Sequence, residues 1–390
     1  MSDSSKAGST AVLYAPPRDA IPQIRPGDPS VVPIFLGCDE KFLPHSLEVI
    51  ASFMAHASPD NFYDIFIIES DIPRAKLDTA AAWIQRYANA SLRFVDINPW
   101  LEHVKNELTI TKEYSAAVYF RLFAPGIFAA YDKMAYLDSD IAVLDNIAGF
   151  YNQDLEGMPL AAVEDHVSMH QATVDPNVTN FWREQLGKEP GEKSFYSGGL
   201  VMDLKQMREM NTEQLFLEKI RVIKNCRLPD QDVMNAVLNG KIKSIPLEWN
   251  CLDWMYDPTE AAANFLLLSD ESRKMIRETR PNVKVIHYAE KKPWTMAYMG
   301  KYAEYYWKYA AETPFYEDVR AAILRENQGT HVISRNLLTY LQQANFKMRS
   351  LFCAPEKLAK YQARIGKLVW RRQAMNRQSQ FVNQHLKNGK

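Results

Sequence analysis

The sequence predicts an α/β protein built on a mostly parallel sheet flanked by helices, with a helical, basic C-terminal region. Three observations carry that reading. Short unbroken apolar runs have the pattern of strands buried on both faces. Segments with helical spacing separate them. The two kinds of segment alternate over about 140 residues, as in doubly wound sheets.

The first run is VVPIFLGC (31–38), which ends at Gly37. Pro44 to His56 follows as an amphipathic helix, with Leu47, Ile50 and Met54 on one face. YDIFIIES (63–70) is the second strand, Pro73 to about Ala88 the next helix, and LRFVDI (92–97) the third strand. Tyr114 to Ala130 reads as helical, DKMAYLDSDIAVL (132–144) contains a fourth strand, and PLAAVED (159–165) is a fifth. FYSGGLVMDL, the helical DQDVMNAVLNG and VKVIHYAE extend the sheet and its loops to about residue 300. The expected division is a flexible leader over 1–29, a catalytic domain over 30–300, and a helical region over 301–390.

The charges nearly cancel, with 46 Lys and Arg against 47 Asp and Glu, but they are unevenly placed. From Gln343 to Lys390 there are 11 basic residues and a single acid, Glu356. The rest of the chain is an acidic globule that would repel phosphates, so nucleic acid is not an expected partner. Four cysteines without CxxC spacing (Cys38, Cys226, Cys251 and Cys353) argue against a zinc cage or a disulfide framework. No apolar run approaches the roughly 20 residues that span a bilayer. The first residues also lack the basic-then-apolar pattern of a secretion signal. The expected location is cytoplasmic, or peripheral on the inner face of the cytoplasmic membrane. Within Glu356 to Arg372, Leu358, Tyr361, Ile365 and Leu368 recur at helical spacing beside a stripe of Lys and Arg. That pattern suits an anionic membrane surface. It equally suits a helix packed on the acidic globule.

Ligands of open α/β sheets bind outside the carboxyl ends of the strands. Asp39, the pair Asp138 and Asp140, Glu164 with Asp165, and His287 all fall at such ends. Tyr136-Leu137-Asp138-Ser139-Asp140 is the most informative stretch. Two carboxylates two residues apart at a strand exit can share one divalent cation that also takes phosphate oxygens. An acidic loop capping the next helix would look the same. A phosphatase of the haloacid-dehalogenase type also places DxD after an apolar strand, but wants Thr or Val where Ala142 stands. His287 opens His-Tyr-Ala-Glu-Lys-Lys-Pro-Trp, whose Lys292 can reach a diphosphate already held by a metal.

These motifs, in this order, resemble the family 8 retaining glycosyltransferases, which have the GT-A fold, and among them the bacterial lipopolysaccharide α-galactosyl- and α-glucosyltransferases. The resemblance covers about residues 31–300. It implies Mn²⁺, or Mg²⁺, as cofactor and UDP-galactose or UDP-glucose as donor. Gly37, Cys38 and Asp39 are similar to the loop that reads the base. Arg121 is similar to an arginine on the donor sugar. Asp138, Ser139 and Asp140 correspond to the DxD element, with Asp138, Asp140 and His287 as metal ligands. Ser197 and Gly198 stand where the family usually has Asn-Ala or Asn-Ser before Gly. Asp230 would hold donor hydroxyls, Gln231 would face the anomeric carbon, and Asp232 completes that catalytic group. Lys292 would bind diphosphate. It lies five residues from His287 rather than six, and Glu290 occupies a position usually held by Gly. On the acceptor side the resemblance points to Asp165, Trp249 and Asn250, facing a lipooligosaccharide or other surface glycan.

The chemical demand is negative charge growing on a departing diphosphate, which a cation and a lysine offset electrostatically. Front-face attack is the expected retaining route, with Asp230 or Asp232 as nucleophile in the covalent alternative. Asp230 is also placed to cap a helix after Pro229. Two other functions remain open from the sequence: a DxD phosphatase, and a sugar-nucleotide-binding protein with weak turnover.

Overall fold

A computed structural model describes residues 12–14, 28–104, 106–108, 115–256, 265, 268–296, 298, 300–328, 342, 368 and 376–386. Eleven strands occur among them. The first is β1 (Val12–Tyr14), followed by β2 (Val31–Asp39), β3 (Phe62–Ser70) and β4 (Ala90–Asp96). Next come β5 (Lys133–Leu137), β6 (Ile141–Val143), β7 (Leu160–Glu164) and β8 (Phe195–Asp203). β9 (Ile242–Ser244), β10 (Cys251–Leu252) and β11 (Val285–His287) complete the set.

Eight of them form one sheet in the order β1-β4-β3-β2-β5-β8-β7-β9. The β4-β3-β2-β5 run is parallel, while β8 lies antiparallel to both β5 and β7. The apolar runs dictate this centre. Val32, Ile34 and Leu36 point to one face of β2 with Ile65 and Ile67 of β3, and Phe35, Phe66 and Ile68 point to the other. Side chains alternate across a strand, so a run apolar at every position must be covered twice.

β1, within the segment expected as a leader, pairs antiparallel with β4, Val12 opposite Asp96. Two expectations are corrected. VKVIH does not extend the main sheet. β11 instead joins β6 and β10 in a separate three-stranded sheet. Tyr114 to Ala130 is not one helix: Ala116–Phe123 is a 3₁₀ helix followed by a single α turn at Ala124–Ile127, and Tyr114 lies outside the described residues.

The helix Leu43–Met54 is buried almost all round, including His45, Glu48 and Ser52, rather than on one face. Its second face packs on the helix Ala303–Ala310 and on β6. Tyr306, Trp307, Val382 and Leu386 from the C-terminal region share one apolar cluster with Ala51, Ala142 and Ile286. Helices beyond residue 300 therefore complete the core beside the second sheet. Most of Glu356 to Arg372, the basic amphipathic segment, lies outside the described residues. No helix among the described residues is long and apolar enough to cross a membrane.

Candidate functional site

The turn Asp138–Asp140 sits where the chain leaves the main sheet at Leu137 and enters the second sheet at Ile141. In the second sheet His287 pairs directly with Ile141, and the Tyr288 N–H donates to the Asp140 carbonyl at 2.9 Å. Residues about 150 positions apart are thereby fixed side by side by backbone pairing.

His287 Nε2 lies 3.3 Å from Asp140 Oδ1 and 3.9 Å from Asp138 Oδ2. One ligand atom from each of the three residues falls within 4.8 Å of the others. Two carboxylates and an imidazole are a donor set for a divalent ion of borderline hardness, Mn²⁺ more than Mg²⁺. Gly198 supports the fit. A Cβ there would stand 2.4 Å from His287 Cε1 and 2.8 Å from Asp138 Oδ2. The strand must come this close, because the Gly198 carbonyl accepts from the Asp138 N–H at 2.8 Å.

A cation would not be the only balance to these acids. Lys292 Nζ donates to Asp140 Oδ2 and to the Tyr288 carbonyl, the latter at 2.6 Å. Burial alone would raise the Asp140 pKa, but Lys292 and His287 outweigh it and hold the carboxyl well below the usual range. Ser139 also lines the cleft, and its hydroxyl lies 2.8 Å from the Ser46 hydroxyl and 3.4 Å from the Gly37 carbonyl, which pins the turn to β2.

Arg121 is the second hub. It is 4% exposed, yet its guanidinium lies 2.7 Å from Asp138 Oδ1 and 3.3 Å from Asp230 Oδ2, and donates to the Ser197 carbonyl at 2.6 Å. Burial works against its charge, and Asp138 and Asp230 more than restore it. The Tyr136 ring stacks under it at 4.3 Å, while the Tyr136 hydroxyl donates to Asp138 Oδ1 at 2.6 Å. Burial raises the Asp230 pKa, with Arg121 and the Ser197 hydroxyl opposing that shift.

The helix Pro229–Val237 carries the third group. Leu228, not Asp230, is its N-cap residue. Asp232 Oδ2 accepts from the Leu228 N–H at 3.0 Å and the Arg227 N–H at 2.9 Å, so it closes the helix start in capping-box fashion. Asp165 caps the helix His166–Val174, accepting from the Val167 and Ser168 N–H groups at 3.1 and 2.9 Å. Its other oxygen accepts from the Ser168 hydroxyl and from Gln231 Nε2 at 2.8 Å. A carboxylate only accepts, so the Gln231 amide must turn its nitrogen to Asp165 and its oxygen toward Ser197, whose N–H is 3.4 Å away.

These groups line one cleft of about 910 Å³ together with Gly37, Cys38 and Asp39. Asp39 Oδ1 accepts from the Phe42 N–H at 3.1 Å. Glu290 also borders the cleft and is exposed. The structure places two of the residues expected on the acceptor side, Trp249 and Asn250, outside the cleft lining. Trp249 is buried beside Phe150, 5.6 Å between ring centres, and Asn250 is buried behind the metal group; neither lines the cleft. Asn250 Oδ1 instead receives His287 Nδ1 at 2.8 Å. Gln171, Phe181, Arg227 and Trp254 also line the cleft, and none of them stands in a motif the sequence made legible.

The glycosyl transferase family 8 profile matches residues 33–297. General stress protein A of Bacillus subtilis is 25% identical over 289 residues, covering 70% of this chain and 91% of that protein. The lipopolysaccharide 1,2-glucosyltransferase of Escherichia coli K12 is 29% identical over 222 residues, covering 54% of this chain and 58% of its own length. Among solved structures, the WbbM bifunctional glycosyltransferase superposes with a TM-score of 0.68 at 25% identity, over 77% of this chain and 53% of WbbM. The galactosyltransferase LgtC, in complex with donor and acceptor sugar analogs, superposes at 0.61 with 24% identity, over 73% of this chain and 96% of LgtC. That last likeness shows the GT-A fold. With more than half of the sequence matched in one alignment, the chain belongs to glycosyl transferase family 8.

Proposed function

We propose that the protein transfers galactose or glucose, with retention, from its UDP-sugar to a lipooligosaccharide or other surface-glycan acceptor, supported by Mn²⁺. The observation that carries this reading is the meeting of Asp138, Asp140 and His287 beside Lys292 and Arg121 in one cleft. The family excludes the DxD phosphatase as the better reading.

Asp138, Asp140 and His287 would hold the metal, which supplies Lewis-acid stabilisation to the leaving diphosphate. Lys292 adds a fixed ammonium on the same side. Asp39 with the Gly37 and Cys38 backbone would read the base, and Arg121, Asp230, Ser197 and Gly198 would place the sugar. Gln231 presents an amide oxygen whose direction Asp165 sets. A neutral oxygen there can stabilise an oxocarbenium-like centre without capturing it, which favours front-face attack. Asp232 is spent on backbone N–H groups and makes a poor nucleophile. Asp165 acts in this scheme through Gln231, while the acceptor meets the Gln171, Phe181 and Arg227 side. Residues 30–300 carry these groups, and the basic segment 356–372 is proposed to meet an anionic membrane surface.

The test is hydrolysis and transfer from UDP-galactose and UDP-glucose with Mn²⁺, with and without crude lipooligosaccharide. Release of UDP from one donor, increased by acceptor, supports the reading. Tight UDP binding without turnover of either donor would reduce the protein to a sugar-nucleotide binder.

A further inference from the structure

The turn that carries Lys292 is held by parts of the chain that lie beyond the family-matched region. Within it, the Thr295 N–H and hydroxyl both donate to the Lys292 carbonyl, at 3.0 and 2.9 Å. The Met296 N–H donates to Glu326 Oε2 at 3.0 Å, from the helix Tyr316–Gln328. The Pro293 and Thr295 carbonyls both accept from Gln378 Nε2, at 3.0 and 3.3 Å, and the Thr295 carbonyl also accepts from the Tyr298 N–H at 3.2 Å.

Gln378 is 3% exposed, and its segment is anchored independently of the turn. Val382 and Leu386 are buried in the cluster that contains Met296 and Tyr306. Arg320 Nε donates to the Leu386 carbonyl at 2.6 Å, and the Ser379 hydroxyl donates to Asn327 Oδ1 at 3.2 Å. On the other side, the Trp294 ring stacks on His45 at 3.7 Å and 13°, and His45 Nδ1 bonds the Tyr306 hydroxyl at 2.7 Å. The turn is therefore gripped on its ring by the N-terminal core and on its backbone by the C-terminal segment. An ammonium on a four-carbon stem is only as well placed as the backbone it leaves from.

We propose that Gln378 is a positioning residue of the donor site, which holds the Lys292 turn in cis through the Pro293 and Thr295 carbonyls. A primary amide can bond two carbonyls at once with its two N–H groups, and no apolar side chain of that size could. The C-terminal segment 376–386 thereby becomes part of the diphosphate side of the cleft. This inference rests on the donor-site reading above.

The test uses the full chain with Gln378→Ala, Lys292→Ala, the pair together, and Gln380→Ala, at an exposed position, as a control on the same segment. UDP affinity with Mn²⁺ is read by calorimetry, hydrogen exchange by the peptide covering 290–297, and folding by thermal melting. Gln378→Ala is expected to weaken UDP about fivefold, the loss of one to two modest hydrogen bonds. It should also speed exchange across the turn, add little to Lys292→Ala, and melt as a folded protein. Gln380→Ala should change neither affinity nor exchange. Unchanged exchange at the turn in Gln378→Ala overturns the proposal, as do losses that simply add to those of Lys292→Ala. If the unsubstituted protein binds no UDP with Mn²⁺, the donor-site reading falls, and faster or unchanged exchange at the turn then decides whether Gln378 holds it.

Discussion

The His287 imidazole is set by Asn250. Oδ1 of that amide lies 2.8 Å from Nδ1, so the ring nitrogen facing Asn250 carries the proton. Nε2 is left as the lone pair that points toward Asp138 and Asp140. Partners of this kind typically hold 10–100-fold in metal affinity. Asn250→Ala is expected to weaken Mn²⁺-supported UDP binding by about tenfold, while Asn250→Asp retains most of it; calorimetry with and without Mn²⁺ checks both.

Gly198 predicts a separable loss. An added methyl at this position meets His287 Cε1 and Asp138 Oδ2 well inside contact distance. Gly198→Ala should cost about 1–3 kcal/mol of stability through overpacking. The protein should still fold but lose metal-supported UDP binding, since the strand or the imidazole must move. Urea denaturation and a metal titration report the two effects.

Asp165 does two jobs with its two oxygens, and two substitutions separate them. Asp165→Ala removes the cap of the helix His166–Val174 and should cost about 1 kcal/mol. Asp165→Asn can still cap, so stability should change little. Its amide nitrogen would face the Gln231 nitrogen, however, and one of the two must turn over. Transfer turnover should therefore fall in Asp165→Asn with stability near that of the unsubstituted protein, which steady-state rates and melting together can show.

Much of this site was legible because strand exits carry chemistry in such sheets. Asp39, Asp138, Asp140 and His287 each follow an apolar run, and they do meet. The second sheet was not legible. Strands of two or three residues, such as β10 and β11, are too short to show a period, so VKVIH read as one more strand of the main sheet. Trp249 and Asn250 were misplaced for the same reason. A loop motif gives neighbours in sequence, but which side of the backbone faces the cleft is decided by pairing with β11. The helix Leu43–Met54 looked one-sided because its second partner comes some 250 residues later and includes His45-binding Tyr306. Gln378 gives no signal at all: one glutamine among several in a polar, basic segment has the composition of surface.

Glu213 sets a pH dependence of stability. Burial pushes its carboxyl up to about 7, despite the Gly126 N–H that it accepts. Its folded pKa thus exceeds the unfolded value of about 4.3. The folded state binds the extra proton between these values. The contribution is fully present below the unfolded pKa and is lost as pH rises through about 7. Glu213→Gln should flatten the decline of the urea midpoint from pH 4.5 to 7, which a pH series of denaturation curves would reveal. Glu69 and Asp253, both raised by burial to about 7, should leave a residual slope of the same sign.

The most direct measurement is calorimetric titration of UDP into the protein with saturating Mn²⁺, repeated with Asp138→Asn and with Asp140→Asn. Either change is expected to lower the affinity by at least about tenfold, about 1.4 kcal/mol, and omitting Mn²⁺ to abolish most of the difference. Equal affinity in all three proteins, with Mn²⁺ present, would contradict the donor-site reading.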